Sequence, residues 1–149
     1  GRQYALRLLT ARDYSCARIC EKLCLKGVDA EEASKIVDEL VAQGWLNDRR
    51  YAENYALQAL LSGRYFGQRL KMEMRRKGLS VELIAEVLAR LEPERDSSAD
   101  VRNVLEKRFP GFSYSMADER EKRRVLGFLQ RKGFSLSVIF KVLKGYNGD

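Results

Sequence analysis

The chain has 149 residues, 45% of them hydrophobic, and carries 28 Lys and Arg against 21 Asp and Glu for a net charge of +7. That apolar content supports a packed core rather than a disordered tail, and no apolar run reaches the roughly 20 residues that cross a bilayer, nor is a signal peptide visible, so a cytoplasmic protein with no membrane partner is expected. Histidine is absent, which removes the commonest general base, the Ser–His and Cys–His pairs and every His-containing metal site, and so argues against an enzyme.

In chain order, the sequence begins at Gly1 rather than Met, as a trimmed N-terminus would. A first helix is predicted over residues 4–12, with Ala5, Leu8 and Leu9 on one face. A second is predicted around 15–26. It holds Cys16, Cys20 and Cys24 at i, i+4 and i+8, a spacing that stacks them along one side. That arrangement suits a thiolate metal site or a redox sensor, but also three small apolar residues packing beside Ile19 and Leu23. The packing reading is preferred, with no metal and no cofactor expected. An odd number of free thiols fits a reducing compartment.

Lys26-Gly27 closes that helix, and Asp29 with Glu32 forms a capping-box-like opening to the next. The third helix lines up Ala33, Ile36, Val37, Leu40 and Val41. A fourth is predicted over 48–62, where Tyr51, Ala52, Tyr55, Ala56, Ala59 and Leu60 recur at helical spacing. A fifth basic helix ends at Lys77-Gly78, and a sixth carries Leu83, Ile84, Val87, Leu88 and Leu91. Residues 91–98, with Pro93, charge and serines, read as a linker. A seventh helix is predicted over 97–109, then a loop at 110–115, an eighth helix ending at Lys132-Gly133, and a ninth after Ser135.

These elements repeat. Gly27, Gly78 and Gly133, each after a lysine, lie 51 and 55 residues apart, and each is followed by an apolar residue, Val28, Leu79 or Phe134, and then a capping type, Asp29, Ser80 or Ser135. No segment alternates at period two long enough for a strand. The expected fold is therefore all-α: three tandem three-helix modules, 1–45, 46–95 and 96–149, forming an elongated array that is monomeric in solution. A unit of this size has a small core, so neighbouring modules should dock.

Charge follows the repeat. Residues 1–45 are neutral, 46–95 carry +3 and 96–149 carry +4. The second helix of the middle module and its preceding loop hold Arg64, Arg69, Lys71, Arg75, Arg76 and Lys77. The corresponding helix of the last module holds Arg120, Lys122, Arg123, Arg124, Arg131 and Lys132. A basic face on one helix is often only solvated. Two such faces at equivalent places in a repeat point instead to an extended polyanion or to acidic grooves on successive subunits. Tyr65 and Phe66 lie close enough in sequence to stack on bases, although core is the better expectation for Phe66. No phosphate-binding glycine loop of the G-x-x-x-x-G-K-[ST] type and no paired acid–base carboxylates are present, so no catalytic residue is assigned.

The run Gly44-Trp45-Leu46-Asn47-Asp48-Arg49-Arg50-Tyr51-Ala52 resembles the signature of the RecX family of recombination regulators. The basic stretch from Arg69 to Gly78 resembles that family's second helix, and the opening Ala5–Arg12 also fits. One departure is clear: a family loop of Lys-Gly-Tyr-Gly-Pro type is here Gly63-Arg64-Tyr65-Phe66-Gly67, with Gly67 in place of the helix-starting proline. The resemblance implies a non-enzymatic protein of DNA repair, recombination and the SOS response. It would bind RecA filaments on single-stranded DNA and modulate, chiefly inhibit, RecA ATPase and strand exchange, with direct DNA contact an open question. The alternative is a stand-alone DNA binder with helix-turn-helix-like modules. Within the signature, Gly44, Trp45, Leu46, Asp48, Arg50 and Tyr51 read as mostly structural. Asn47 or Asp48 is expected to cap the helix, Tyr51 to enter the core, Arg50 to bind an acid, and Trp45 to pack between modules.

Overall fold

Nine helices, and no strand, are formed among the residues that the computed structural model describes, 1–91 and 96–146. They are α1 (Arg2–Ala11), α2 (Cys16–Leu25), α3 (Ala30–Ala42), α4 (Asp48–Ser62), α5 (Gly67–Arg76), α6 (Val81–Leu91), α7 (Ser97–Arg108), α8 (Glu119–Lys132) and α9 (Leu136–Leu143). Residues 92–95 of the expected linker, Pro93 among them, lie outside the described residues, while Leu91 ends α6 and Ser97 and Ser98 begin α7.

Local chemistry accounts for the helix ends. Ser15, Asp29, Ser80, Asp96, Asp118 and Ser135 each accept a backbone N–H from the first turn that follows them. Asp29 takes the N–H of Glu31 at 3.2 Å. Gly133 ends α8 in the left-handed conformation, φ +110°, where an L side chain crowds its own carbonyl.

The helices pack into two units. One comprises Gly1–Ala56 with Glu73–Leu88, and the other Leu57–Met72 with the chain from Ala89 onward. Packing therefore divides the middle repeat: the first half of α4, the end of α5 and most of α6 join the first unit, and the rest of α4 and α5 joins the second. A three-helix repeat alone has too little core, which is why its helices are shared out.

The core of the first unit includes Ala5, Ile19, Leu23, Ala33, Ile36, Val37, Leu40 and Leu46. Val41, expected on the same face of α3, is instead 46% exposed, one position past the α3 stripe that ends at Leu40. The N-terminus of α2 is anchored by residues far away in sequence. Asp48 accepts the N–H of Cys16 at 2.8 Å. The hydroxyl of Ser15, fully buried, donates to the Lys77 carbonyl at the end of α5.

The second unit is built on Leu60, Phe66, Leu70, Val101, Leu105, Val125, Leu129, Phe134 and Ile139, all buried. Here the Phe66 N–H donates to the Lys132 carbonyl at 2.8 Å, and the Phe66 ring stacks on Phe134 with centroids 4.5 Å apart. The two backbones meet so closely that a Cβ on Gly67 would stand 2.5 Å from the Gly133 carbonyl oxygen. Gly67 has φ +48°, a value closed to proline, whose ring holds φ near about −65°. A helix-starting proline would not fit this backbone. Both units repeat one construction: the start of one second helix meets the Lys-Gly turn of the next.

Candidate functional site

Helix α5 buries Leu70, Glu73 and Met74 and leaves Arg75 and Arg76 exposed. Arg64 and Arg69 both place their guanidinium groups over the Tyr65 ring, at 5.3 and 5.1 Å. Tyr65 is thereby engaged within the protein, and Phe66 is core, 5% exposed. Arg69 also donates to the Arg131 carbonyl at 3.4 Å. Arg76 pairs with the nearly buried Glu73 at 3.2 Å. Arg75 is exposed and donates to the Leu79 carbonyl at 3.4 Å. Lys77 is half-buried, with its ammonium 5.9 Å from the Tyr55 ring centroid. Lys71 is half-buried.

Helix α8 buries Val125 and Leu129 and exposes Arg120, Arg123, Arg124 and Arg131. Among the described residues none of these four arginines holds an ion pair. Arg124 lies over the Phe109 ring. Lys122 is tied to Glu119 at 3.6 Å and sits over Tyr114. The Lys132 ammonium donates to the Gly63 and Arg64 carbonyls at 3.1 and 3.3 Å, closing the C-terminal end of α4.

The twelve sequence-predicted cations therefore differ in role. Arg64, Arg69, Arg131 and Lys132 gather where the 63–67 loop meets the α8–α9 turn. Arg120 and Arg123 lie towards the other end of α8; Arg120 is eleven residues from Arg131, about 16 Å along the axis. Arg69, Arg76 and Lys132 serve internal contacts, and those of Arg69 and Lys132 are ones that no local pattern signals. Exposed guanidinium groups without acid partners present planar, permanently charged donors suited to carboxylate or phosphate.

In the signature run, Asn47 caps α4 by accepting the Arg50 N–H at 3.0 Å, while Asp48 accepts the Cys16 N–H at the start of α2. Gly44 turns the chain at φ +83°, and Leu46 is buried at 2%. Three expectations are revised. Trp45 is 44% exposed rather than packed away. Tyr51 is half-buried and stacked on Tyr55 at 6.2 Å, one helical turn on, rather than in the core. The ion pair here belongs to Arg49, which reaches Glu86, and Arg50 points to solvent. Burial pushes the Tyr51 hydroxyl up, against the pull of Arg12 and Arg18.

Burial, helped by the Asp48 carboxylate, pushes the Cys16 thiol up to about 12. Burial and the neighbouring Cys24 raise Cys20 as well. Thiols held protonated are poor nucleophiles and poor metal ligands. No cluster of His, Cys, Asp and Glu suited to a metal occurs among the described residues, and no described helix is long and apolar enough to cross a membrane.

The chain matches the models of the first, second and third three-helix domains of RecX over residues 2–40, 47–88 and 98–143. It belongs to the RecX family. Regulatory protein RecX of Trichlorobacter lovleyi is 44% identical over 135 residues, 91% of this chain and 88% of that protein. Its counterpart in Syntrophotalea carbinolica is 34% identical, over 92% of this chain and 90% of its own. The crystal structure of RecX from Lactobacillus salivarius has the same fold, with a TM-score of 0.77 and 21% identity over 96% of this chain and 92% of that one. RecX relatives are named regulatory proteins, and the all-α fold of tandem three-helix domains agrees with the family.

Proposed function

We propose that this RecX-family chain is a non-catalytic regulator that binds the RecA filament on single-stranded DNA and restrains its ATP hydrolysis and strand exchange. The observation that carries the reading is the set of exposed arginines without acid partners on α8, matched by Arg75 on the equivalent helix α5. Such groups gain most from a carboxylate- or phosphate-rich partner that displaces their water. The three-helix modules, 1–45, 46–95 and 96–149, would each meet successive parts of one filament. A monomer acting in the cytoplasm is the matching state.

The test is RecA ATPase on single-stranded DNA, titrated with the purified protein, alongside a sedimentation assay of filament binding. A dose-dependent fall in rate with co-sedimentation is expected. An unchanged rate at every ratio, with no filament binding, would remove the proposal. Tight, salt-sensitive binding to DNA without RecA would transfer the basic faces to the stand-alone DNA-binding reading.

A further inference from the structure

Within the second unit, the end of α4, the middle of α7 and α8 enclose an open cleft of about 430 Å³, inside the ~300–1,000 Å³ range of ligand sites. Its apolar lining comes from Leu60, Leu61, Phe66, Val104 and Phe128. Leu61 is 69% exposed, so a large apolar side chain stands in water at the mouth. Around it lie Lys107, Arg108 and Lys132, with Asp100 the one acid of the lining. Lys107 and Arg108 are exposed, and neither holds an ion pair among the described residues.

The cleft thus pairs an apolar floor with a cationic rim. A nucleobase would need an open aromatic face, and Phe128 does not provide one. The Arg108 guanidinium lies 5.5 Å from its ring centroid, the Lys132 ammonium 5.6 Å, and Phe109 meets it edge-on at 5.3 Å. An apolar side chain can instead settle on Leu61 and Val104, while flanking carboxylates meet Lys107 and Arg108. We propose that this cleft docks an acidic peptide segment of a partner protein, anchored by one large apolar side chain. The proposal does not rest on the filament contact: Lys107 and Arg108 lie on α7, apart from the arginines of α8 and α5 that carry that reading.

The test uses the full chain and fluorescence anisotropy. The probe is a labelled short peptide of Asp, Glu, Gly and Ser around a single central Phe. Its controls are the same peptide with Ser at the centre and a thymidine oligonucleotide. The Phe peptide should bind, and the Ser peptide should bind roughly tenfold more weakly or worse, since one buried aromatic anchor accounts for at least that factor. Leu61→Asp and Lys107→Glu should each weaken the Phe peptide by about tenfold. Both positions are exposed, and unchanged circular dichroism confirms that the variants fold. The proposal is overturned if the Phe peptide does not bind, if both peptides bind equally, or if neither variant alters affinity. It is also overturned if the oligonucleotide competes with the Phe peptide and loses affinity in Leu61→Asp. No assay here contains RecA, so a failed filament experiment leaves this result standing.

Discussion

Replacing the Lys-Gly glycines by alanine separates the cost of a left-handed residue from the cost of a backbone contact. Gly27 has φ +93°, and a Cβ there meets no described atom within 4 Å. Gly27→Ala should therefore cost only the left-handed penalty, about 1–2 kcal/mol. Gly133 has φ +110°, and its Cβ would overlap the Phe66 carbonyl oxygen and stand 2.9 Å from Cβ of Arg69. No rotamer change relieves a clash with backbone, so the α8–α9 turn has to part from the 63–67 loop. That adds the loss of the Phe66–Lys132 hydrogen bond, about 1 kcal/mol. It adds the Phe66–Phe134 stack, about 0.5–1.5 kcal/mol, and the burial of one aromatic side chain, about 1.5–3 kcal/mol. Gly133→Ala should thus lose about 4–7 kcal/mol in all. At roughly 2–4 °C per kcal/mol for a chain of this size, Gly27→Ala lowers Tm by a few degrees and Gly133→Ala by more than about 10 °C. Urea unfolding followed by circular dichroism measures both. Equal losses for the two variants, within about 0.5 kcal/mol, would refute the argument that contact with Phe66 selects glycine at 133.

Asp48→Ala should destabilise the fold by about 1–3 kcal/mol in thermal unfolding, because the Cys16 N–H at the start of α2 loses its acceptor, and Asp48→Asn, which can still accept that N–H, should recover most of it. The same Asp48→Ala change should lower the Cys16 thiol pKa, read as a faster alkylation rate at alkaline pH. Folding raises the Cys16 thiol from its ordinary 9.0 to about 12, so the unfolded chain releases this proton first. The associated stability is complete below pH 9.0 and declines as pH rises towards about 12, and Cys16→Ala should flatten that decline in urea titrations at fixed pH. Charge reversal of Arg123 and Arg131 should raise the half-inhibitory concentration against RecA ATPase by about fivefold or more, with unfolding midpoints unchanged; an unaltered titration curve would make this face merely solvated.

Much of the fold was legible in the sequence because its signals are local. The 48–62 periodicity matched α4, and Ser80 and Ser135 capped α6 and α9 as their places after each Lys-Gly pair implied. The candidate site was legible only as a list of cations. Whether a cation faces outward or is drawn inward depends on what stands opposite, and for Arg69 and Lys132 that is a carbonyl 62 to 69 residues away. The cleft beside Leu61 was invisible for the same reason, since α4, α7 and α8 contribute to it from separate stretches.

The order of residues alone determined the nine helices found among the described residues, most of their caps and the thrice-repeated turn, because helix formation and capping act over three or four neighbours. Tertiary structure decided that Asp48 accepts an N–H of α2 rather than one of its own helix, that Ser15 and Phe66 grip the Lys-Gly turns ahead of them, and that the middle repeat is divided between two packing units. Those outcomes follow from which apolar faces meet, and so from contacts between residues tens of positions apart, which no local pattern encodes.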